Sequence, residues 1–333
     1  MLKRLALRTL MQPSVGRLLS RLRRDRCAIV MMHRFAVPES ARPGHDPTRL
    51  RTLLAHLRSI GVSLLAVDEA VQHYAIAGGH GSAARPPAVA FTVDDGYADF
   101  SDVGLSVFEE YDCPVTGFVV PDVIDGKRWF WWDQVEWALL HASRRRLELE
   151  LDGNPLRLSW DSAEERGVHH RTLCERLKGV DDATRRTFLT DLSRVADVPV
   201  TGDMPSAYRV LSWDELRSCE RRGARFGPHT MSHPILSRCT ESQSRDEIVH
   251  ASARVLDALE NPSRVFCYPN GYTQDFGARE ILSLRSTGMV AAVSAVPGLV
   301  RPVSIGADQD AIWRVPRFAY DDRDGVMPRL LFL

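Results

Sequence analysis

The sequence has no net charge with which to attract a charged partner. Its 333 residues include 43 lysines and arginines against 43 aspartates and glutamates. General nucleic-acid binders show a strong basic excess, so this balance argues against that class of protein. Apolar residues form 44% of the chain, which excludes intrinsic disorder as its general state. The length fits about two average domains, or one barrel of ~250 residues with additions.

Long hydrophobic runs are also missing. No apolar run approaches the ~18 residues that a helix needs to cross a bilayer, so no transmembrane helix is expected. A secretory signal needs an uninterrupted apolar stretch of ~7 residues or more, and Arg4, Arg8 and Arg17 interrupt every candidate. We therefore expect a cytoplasmic protein.

Closely spaced cysteines are absent too. A disulfide framework or a cysteine-type zinc site would need paired spacing. The scatter along this chain favours reduced, mostly buried thiols. The six cysteines are Cys27, Cys113, Cys174, Cys219, Cys239 and Cys267.

Charge of one sign is concentrated at the start of the chain. Residues 1–26 carry eight basic residues and one acidic residue, a net charge of +7, so the remaining residues carry −7. Leucines interleaved with arginines could line one face of a helix there. Two interpretations stay open: a basic amphipathic helix packed on the domain, which we favour, or peripheral contact of residues 1–24 with the inner face of the membrane.

From residue 27 onward, short apolar runs alternate with helical patterns. A buried strand is predicted over residues 27–32, a helix from Asp46-Pro47 to Gly61, and another strand over residues 88–92. This rhythm predicts a parallel sheet. Seven or eight strands, with a last one over residues 312–318, indicate the α/β class and a distorted (β/α)7-8 barrel over residues 27–333, with working residues at the carboxyl ends of its strands.

A polar, helical pattern over about residues 122–211 interrupts this rhythm. Five aromatic residues are crowded near its start, between Trp129 and Trp137. We interpret this stretch as a helical insertion on the barrel rim rather than an independent domain.

Two adjacent carboxylates, Asp94 and Asp95, directly follow a predicted strand and precede Gly96. At a strand end, adjacent side chains point in different directions, so one carboxylate can bind a metal while the other handles a proton. Similar pairs at Asp181-Asp182 and Asp321-Asp322 look like solvated loops. The alternative for Asp94-Asp95 is a turn in which one carboxylate caps the next helix.

A pair of histidines, His229 and His233, follows the apolar Phe226-Gly227. Chance gives a His-x-x-x-His pair ~0.3 times in a chain with this histidine content, so the spacing alone is weak evidence. In a helical turn, four-residue spacing places both imidazoles on one face, where they can reach one zinc ion. Together with one carboxylate they would leave a position open for water, as catalytic metal sites do.

The third candidate segment is residues 266–272, at the end of another predicted strand. Pro269 and Gly271 predict an irregular turn whose backbone amides could face a developing oxyanion. A generic turn without a role in catalysis is the alternative.

Together these segments resemble the polysaccharide deacetylase family, which shares the homology domain of the nodulation chitooligosaccharide deacetylase and forms carbohydrate esterase family four. Its three motifs are matched by Thr92-Val-Asp-Asp-Gly96, His229-Thr-x-x-His233-Pro and Tyr268-Pro-x-Gly271. Their order and spacing agree over about residues 27–320.

The resemblance implies a metal-dependent carbohydrate N-deacetylase. It makes Asp94 the general base, and Asp95, His229 and His233 the ligands of a divalent metal, usually zinc. It further implies that this metal polarises the acetamide carbonyl and a water, and that an amide near Asn270 helps to hold the tetrahedral oxyanion. Acetate and a free amino sugar would leave.

Two departures from the family pattern affect these roles. The usual third motif has an arginine that steers the catalytic aspartate, and Cys267 stands in its place. The usual late Leu-x-His motif, which supplies the general acid, is absent because no histidine follows His250. A leaving amine must be protonated, so the acid has to come from elsewhere.

A substitute for the acid is found near the start of the chain. Residues 31–35, Met-Met-His-Arg-Phe, resemble a Met-Tyr-His-Arg-Val segment of a circularly permuted branch of the family that includes exopolysaccharide deacetylases. In that branch the acid-supplying strand has moved to the start of the chain, which makes His33 the acid. Without the resemblance, His33 would be interpreted as a core histidine. Arg317 resembles a late arginine of the same branch and is expected to orient His33 or Asp94.

Four residues are candidate substrate contacts. Trp131-Trp132-Asp133 in the insertion resembles a recurrent feature of the same branch. Trp132 and Asp133 could contact a sugar, or they could pack the insertion onto the barrel. Asn270 and Tyr272 of the third motif complete the set.

The expected substrate is a nucleotide- or lipid-linked N-acetylated sugar, or an oligosaccharide or polysaccharide intermediate, because no export signal is predicted. Two other functions stay open. One is deformylation, or hydrolysis of a non-sugar amide, by the same residues. The other is glycan binding without catalysis, which the replacement of the steering arginine by Cys267 would motivate.

Overall fold

The computed structural model describes residues 25–37, 42–76, 85–200, 203–300 and 310–322. The predicted amphipathic helix of residues 1–24 therefore lies outside the described residues. Within the described part of the chain, every helix is too short or too polar to span a bilayer.

The described residues contain eleven strands and ten α-helices. The strands are β1 (Cys27–Met32), β2 (Ser63–Leu65), β3 (Ala88–Asp94), β4 (Val115–Val119), β5 (Arg146–Leu151), β6 (Asn154–Ser159), β7 (Arg225–Pro228), β8 (Val265–Cys267), β9 (Ala291–Val293), β10 (Leu299–Val300) and β11 (Phe318–Ala319). The helices are α1 (Pro47–Ser59), α2 (Val67–Ala70), α3 (Leu105–Glu109), α4 (Pro121–Ile124), α5 (Trp131–His141), α6 (Ala163–Lys178), α7 (Asp182–Ala196), α8 (Trp213–Arg221), α9 (Glu241–Ala258) and α10 (Ala278–Arg285).

Helix α1 shows how local sequence sets an element of this fold. The Asp46 side chain accepts a hydrogen bond from the Thr48 amide at 2.8 Å, and Pro47 occupies the first helical position. Leucines at helical spacing form its buried face. The helix ends at Ser59, and Gly61, two residues later, has a φ of 78° that suits a residue without a Cβ.

Strand β3 lies at the centre of a mostly parallel sheet. β1 pairs with it in parallel along six residues, with Met32 opposite Val93. On the other side of β3, β2 pairs with its first half and β4 with its second half, and β7 continues from β4. The short strands β10 and β11 join β1, antiparallel and parallel respectively.

Strands β8 and β9 form a separate parallel pair. Isolated backbone contacts connect this pair to the rest: Ser263 donates to the Phe226 carbonyl at 2.9 Å, and Val293 bridges to Val315. The predicted last strand is shorter than expected, because residues 311–313 form a 3-10 turn and only Phe318–Ala319 pairs with β1.

The sheet is buried on both faces, as in parallel α/β folds. Alternate residues of the strands point to two different cores, of which the outer one packs against the helices. The inner core joins residues of five strands: Ile29, Ala90, Phe118, Val265 and Val293. This arrangement confirms the predicted α/β class with a barrel-type core.

Residues 122–211, for which the sequence indicates a helical pattern, contain the helices α5, α6 and α7 and also a hairpin that this pattern does not indicate. Strands β5 and β6 pair antiparallel around Asp152 and Gly153, whose φ values of 52° and 72° form the turn. Strict alternation of leucine with polar residues along both strands is the signal that could have revealed it. The buried leucines of the hairpin pack with α5, α6 and α7 in a hydrophobic core distinct from that of the sheet.

Candidate active site and metal centre

The predicted site residues meet where parallel strands end. Because Met32 lies opposite Val93, His33 and Asp94 are adjacent at the carboxyl ends of β1 and β3. His229 follows β7, and its amide donates to the Val119 carbonyl of β4 at 2.9 Å. The structure therefore brings together residues from both ends of the sequence, as the barrel topology predicts.

A left-handed turn begins at the end of β3, between the two carboxylates Asp94 and Asp95. Asp95 and Gly96 have φ values of 74° and 70°, a region that aspartate tolerates and glycine enters freely. A Cβ at Gly96 would also lie 3.1 Å from a side-chain carbon of Val119. As a result, Asp94 and Asp95 face different partners.

Asp95 faces the two histidines. Its Oδ1 lies 3.8 Å from Nε2 of His229 and 3.6 Å from Nε2 of His233. One ligand atom from each of the three residues falls within 4.8 Å of the others. Oδ1 of Asp95, the oxygen that faces both rings, is buried and has no hydrogen-bond partner among the described residues. Buried polar atoms without partners are rare in folded proteins, and a cation is one way to satisfy them.

The protonation of His229 suits a metal ligand. Its Nδ1 lies 2.8 Å from the Cys267 carbonyl, which only a protonated nitrogen can approach as a donor. Nε2 therefore keeps its lone pair toward Asp95. Burial lowers the pKa of His229 to about 4, and burial followed by the charge of His229 lowers the pKa of His233 well below its usual value. Neutral imidazoles are the form that binds metal.

The loop that carries the histidines is bent rather than helical. Thr230 and His233 have φ values of 62° and 60°, which is costly for a β-branched residue such as threonine. The helical turn expected from the histidine spacing is therefore wrong in conformation, although both imidazoles do face Asp95. Glu247 of α9 holds the bend, accepting from the amide of Ser232 at 2.8 Å and from its hydroxyl at 2.5 Å.

Asp94 is held by a buried arginine. Arg317 Nη1 and Nη2 donate to its two carboxylate oxygens at 2.8 and 2.9 Å, and Arg317 is 1% exposed. The same guanidinium donates to Thr92 Oγ1 at 3.0 Å and to the Ser294 carbonyl at 3.0 Å. Its position is therefore fixed by β3 and by the residue that follows β9.

Cys267 lies beside this ion pair. Its Sγ is 3.1 Å from Nη2 of Arg317 and 3.6 Å from Oδ2 of Asp94. The side chain that stands in the place of the family's steering arginine is thus in contact with Arg317, which approaches Asp94 from the end of the chain. Of the two orientations expected for Arg317, the hydrogen bonds show the one to Asp94.

The two aspartates have opposite electrostatic environments. Burial alone would raise the pKa of Asp94, but the Arg317 guanidinium, with help from His229 and His33, lowers it to about 2. Burial and the neighbouring Asp94 charge raise the pKa of Asp95 well above its usual value. Asp94 is therefore ionised at neutral pH, whereas Asp95 needs a cation beside it to hold its charge.

His33 lies at the open side of the site. The residue is exposed, yet enough protein surrounds the ring for desolvation to lower its pKa, against the opposing effect of the Asp94 charge. The backbone after it is anchored by Asp99, which accepts from the Phe35 amide at 2.8 Å and from Arg34 Nε at 2.7 Å. From this position the His33 ring can reach a substrate bound near Asp94.

An aromatic wall borders the histidines. The half-buried Trp132 stacks on Phe130, with ring centres 4.6 Å apart, and meets the His233 ring edge-on at 4.8 Å. Asp133 is 2% exposed and accepts from the hydroxyl of Tyr97 at 2.7 Å and from Arg42 at 3.2 Å. The structure therefore places Trp132 at the site, and Asp133 behind it.

The third motif contributes a turn beside this site. Asn270 has a φ of 60°, and its side-chain amide donates to Asp275 at 2.6 Å. Tyr272 is 46% exposed, and its backbone amide donates to the same carboxylate at 2.9 Å. Asp275 thus fixes the turn, while the Tyr272 ring remains open to contact a ligand.

Sequence reasoning missed the residues that hold the site together. They are Tyr97, Asp99, Glu247 and Asp275. Tyr97 directly follows the first motif, a position that could have singled it out. The other three are ordinary polar residues of turns and helices, and only their contacts reveal them.

Comparison with known families bears on the same residues. The model of the family described as polysaccharide deacetylase matches residues 181–290, which include His229, His233 and the third motif. Asp94 and Asp95 lie outside the matched range. No curated protein matches the sequence.

Solved structures with a similar fold extend the comparison over most of the chain. The Streptococcus pyogenes deacetylase PplD, solved in complex with acetate, has a TM-score of 0.56 at 14% identity, covering 92% of this chain and 96% of that one. IcaB from Ammonifex degensii has a TM-score of 0.53 at 14% identity, with coverage of 93% and 98%. A de-N-acetylase from Aggregatibacter actinomycetemcomitans has a TM-score of 0.51 at 13% identity, with coverage of 92% and 100%. The fold of this chain is therefore of the kind seen in these deacetylases.

Proposed function

We propose that this chain, which the polysaccharide deacetylase family model matches over residues 181–290, is a metal-dependent hydrolase that removes N-acetyl groups from a carbohydrate. The observation that carries the metal dependence is the separation of the two carboxylates after β3. Asp94 is paired with Arg317, whereas Asp95 faces two neutral imidazoles with a buried oxygen that lacks a partner.

Asp95, His229 and His233 fit a divalent metal and would hold it. One carboxylate and two imidazoles are the ligand types of catalytic zinc sites, which keep a further position for water. Such an ion, most simply Zn²⁺, would act as a Lewis acid on the acetyl carbonyl and make water more acidic. The Asp95 charge disfavoured by burial is the charge that a cation would stabilise.

Asp94 is proposed to take the proton of the attacking water. Its low pKa keeps it ionised, and the two hydrogen bonds from Arg317 fix the carboxylate plane. A base with so low a pKa is weak, so the water must be acidified before transfer. The water oxygen then bonds to the acetyl carbon, and the carbon–nitrogen bond breaks as acetate forms.

His33 is proposed to give a proton to the departing nitrogen. It lies beside Asp94 at the neighbouring strand end and is open to solvent. The lowered pKa of its imidazole makes the protonated ring a stronger acid, although a smaller fraction is protonated at neutral pH. An amide near Asn270 is proposed to hold the oxyanion of the tetrahedral intermediate.

Acetate release is the direct test of this function. We expect the purified protein to release acetate from at least one N-acetylated sugar in a panel that includes nucleotide-linked, lipid-linked and oligosaccharide forms. Chelation should abolish release, and stoichiometric Zn²⁺ should restore it. Release of formate from N-formyl compounds alone would identify a deformylase, and metal binding without hydrolysis of any amide would identify a glycan-binding protein.

The panel includes nucleotide-linked and lipid-linked sugars because we propose that the protein acts on a substrate in the cytoplasm. A lipid-linked sugar would agree with the +7 charge of residues 1–26 and with peripheral membrane contact.

The argument for a non-catalytic protein is weaker than the sequence suggested, because Arg317 supplies Asp94 with the guanidinium that position 267 lacks.

Replacing His33 with Ala should separate chemistry from metal binding. We expect kcat to fall by about 10²- to 10⁴-fold, the usual contribution of a general acid, with metal content unchanged. His73→Ala is a matched control, because His73 is another exposed histidine and lies outside the site. Equal losses of turnover and metal would contradict the role of His33 as the acid.

A further inference from the structure

A chain of hydrogen bonds, here called the relay, connects the insertion to the active site through Trp132, Tyr97 and Asp133. Trp132 Nε1 donates to the Tyr97 hydroxyl at 2.9 Å, and that hydroxyl donates to Oδ2 of Asp133 at 2.7 Å. Oδ1 of Asp133 accepts from Arg42 at 3.2 Å. Each polar group in this relay is thus satisfied by a specific neighbour, which is how buried networks fix side-chain geometry.

Tyr97 is the centre of the relay and is itself fixed by its backbone. It directly follows the left-handed turn of Asp95 and Gly96. On either side of it, the Gly96 carbonyl accepts from Leu211 at 2.9 Å and the Ala98 amide donates to Arg209 at 3.0 Å. The ring is 2% exposed. The hydroxyl is therefore held in a fixed position next to Trp132 and Asp133.

Trp132 is the residue of the relay that contacts the active site, because its ring lies against that of His233. Its indole is half-buried, stacked on Phe130 and edge-on to His233. A flat indole beside a catalytic centre can stack on the apolar face of a sugar ring. The hydrogen bond from Nε1 to Tyr97 selects one rotation of that indole, because only one edge of the ring carries the N–H.

We propose that Asp133 is a positioning residue for substrate, which orients Trp132 through Tyr97 so that the indole forms a sugar platform beside His233. This replaces the expectation that Asp133 touches the substrate, because both of its oxygens are occupied and the residue is buried. The proposal rests on the proposed function, since it names how that site recognises its carbohydrate. It also gives the insertion a function: α5 carries both Trp132 and Asp133.

Asp133→Asn is the informative substitution. Tyr97 and Arg42 donate to different oxygens of Asp133. Asn keeps the size of Asp but replaces one of these oxygens with an NH2 group, so one of the two donors loses its acceptor. The variants Tyr97→Phe and Trp132→Phe remove the middle and the end of the relay. Trp160→Phe is the matched control, because Trp160 is buried in the core of the insertion and lies outside the relay.

The assay compares an N-acetylglucosamine oligosaccharide with the small ester 4-nitrophenyl acetate. For the three relay variants we expect KM for the oligosaccharide to rise about 10- to 100-fold, the worth of one hydrogen bond to a charged group, with little change in kcat. Zinc content should stay at the wild-type level, and any loss of ester hydrolysis should be much smaller than the loss on the oligosaccharide. Trp160→Phe should leave both substrates unchanged after correction for folded protein.

Two results would overturn the relay proposal. One is an equal loss on sugar and ester in Asp133→Asn, which would place its effect on the metal centre or on folding. The other is an unchanged KM for the oligosaccharide in Asp133→Asn or Trp132→Phe.

Failure of the proposed function gives a different result. In that case the wild type hydrolyses no acetylated sugar at all, and the relay is tested by binding instead. The oligosaccharide should then quench tryptophan fluorescence in the wild type and in Trp160→Phe, but not in Trp132→Phe. Equal quenching in all three, or in none, would reject the platform.

Discussion

Replacing Asp95 with Asn is expected to remove the metal from the site and to lower acetate release by about 10³-fold or more. A Lewis-acid metal supplies several kcal/mol of transition-state stabilisation, and ~4 kcal/mol corresponds to that factor. Asn keeps the size of the side chain but loses the negative charge that balances a dication. His233→Asn should have a similar effect, because one of the two imidazole ligands disappears.

Asn is chosen at both positions because of their backbone. Asp95 and His233 have φ values of 74° and 60°, a region that Asn enters more readily than Ala. An alanine variant could therefore lose activity through strain alone. The Asn variants should keep the wild-type circular dichroism and melting temperature, so that a loss of zinc can be assigned to the missing ligand.

Zinc per protein after dialysis, measured by atomic emission, is the decisive quantity. Asp191→Asn and His169→Asn serve as controls, since both residues lie in the insertion away from the strand ends. They should retain wild-type zinc and acetate release. Full zinc occupancy in both Asp95→Asn and His233→Asn would show that the metal assignment is wrong.

Much of this site could be predicted because its residues follow strands directly. A parallel topology brings the carboxyl ends of strands to one edge, so the positions of His33, Asp94 and His229 follow once the strands are recognised. The strands are recognisable because both faces are buried and their sequences are almost entirely apolar. The same logic predicted β1 and β3 close to their observed bounds.

What the sequence did not predict depends on contacts between distant segments or on backbone bends. No local pattern indicates that Glu247 clamps Ser232, or that Tyr97 joins Trp132 to Asp133. The left-handed Thr230 is invisible to a spacing argument, which assumed a helical turn. The hairpin of residues 146–159 was missed for another reason, since its alternation lay inside a stretch rich in charged residues that was assigned to helices as a whole.

Replacing Arg317 with Met should lower both stability and turnover. Removing one partner of a buried ion pair leaves the other charged and unsolvated, which typically costs about 3–5 kcal/mol of unfolding free energy. Without the guanidinium, burial raises the pKa of Asp94, and the carboxylate loses its fixed orientation. We expect kcat to fall by about 10²-fold, part of the contribution that a general base supplies.

The double variant Asp94→Asn/Arg317→Met tests whether the stability loss comes from this ion pair. It should unfold with less loss than the sum of the two single variants, because no buried charge is left without a partner. Urea denaturation measures the three free energies. Additive losses would mean that Arg317 stabilises the fold through Thr92 and Ser294 rather than through Asp94.

Moving the guanidinium from position 317 to position 267 tests whether it acts by positioning the Asp94 carboxylate. Cys267 Sγ lies 3.1 Å from Arg317 Nη2 and 3.6 Å from Asp94, so an arginine side chain at 267 would begin beside the carboxylate. Cys267→Arg alone should be destabilised, since two buried cations would share one anion. In the Arg317→Ala background it should recover about tenfold or more of the lost kcat, because one charge-assisted hydrogen bond restored to Asp94 is worth that much. Recovery would show that Asp94 needs a guanidinium and that position 267 can supply it as well as position 317. No recovery in a folded double variant would show that the guanidinium must approach from position 317.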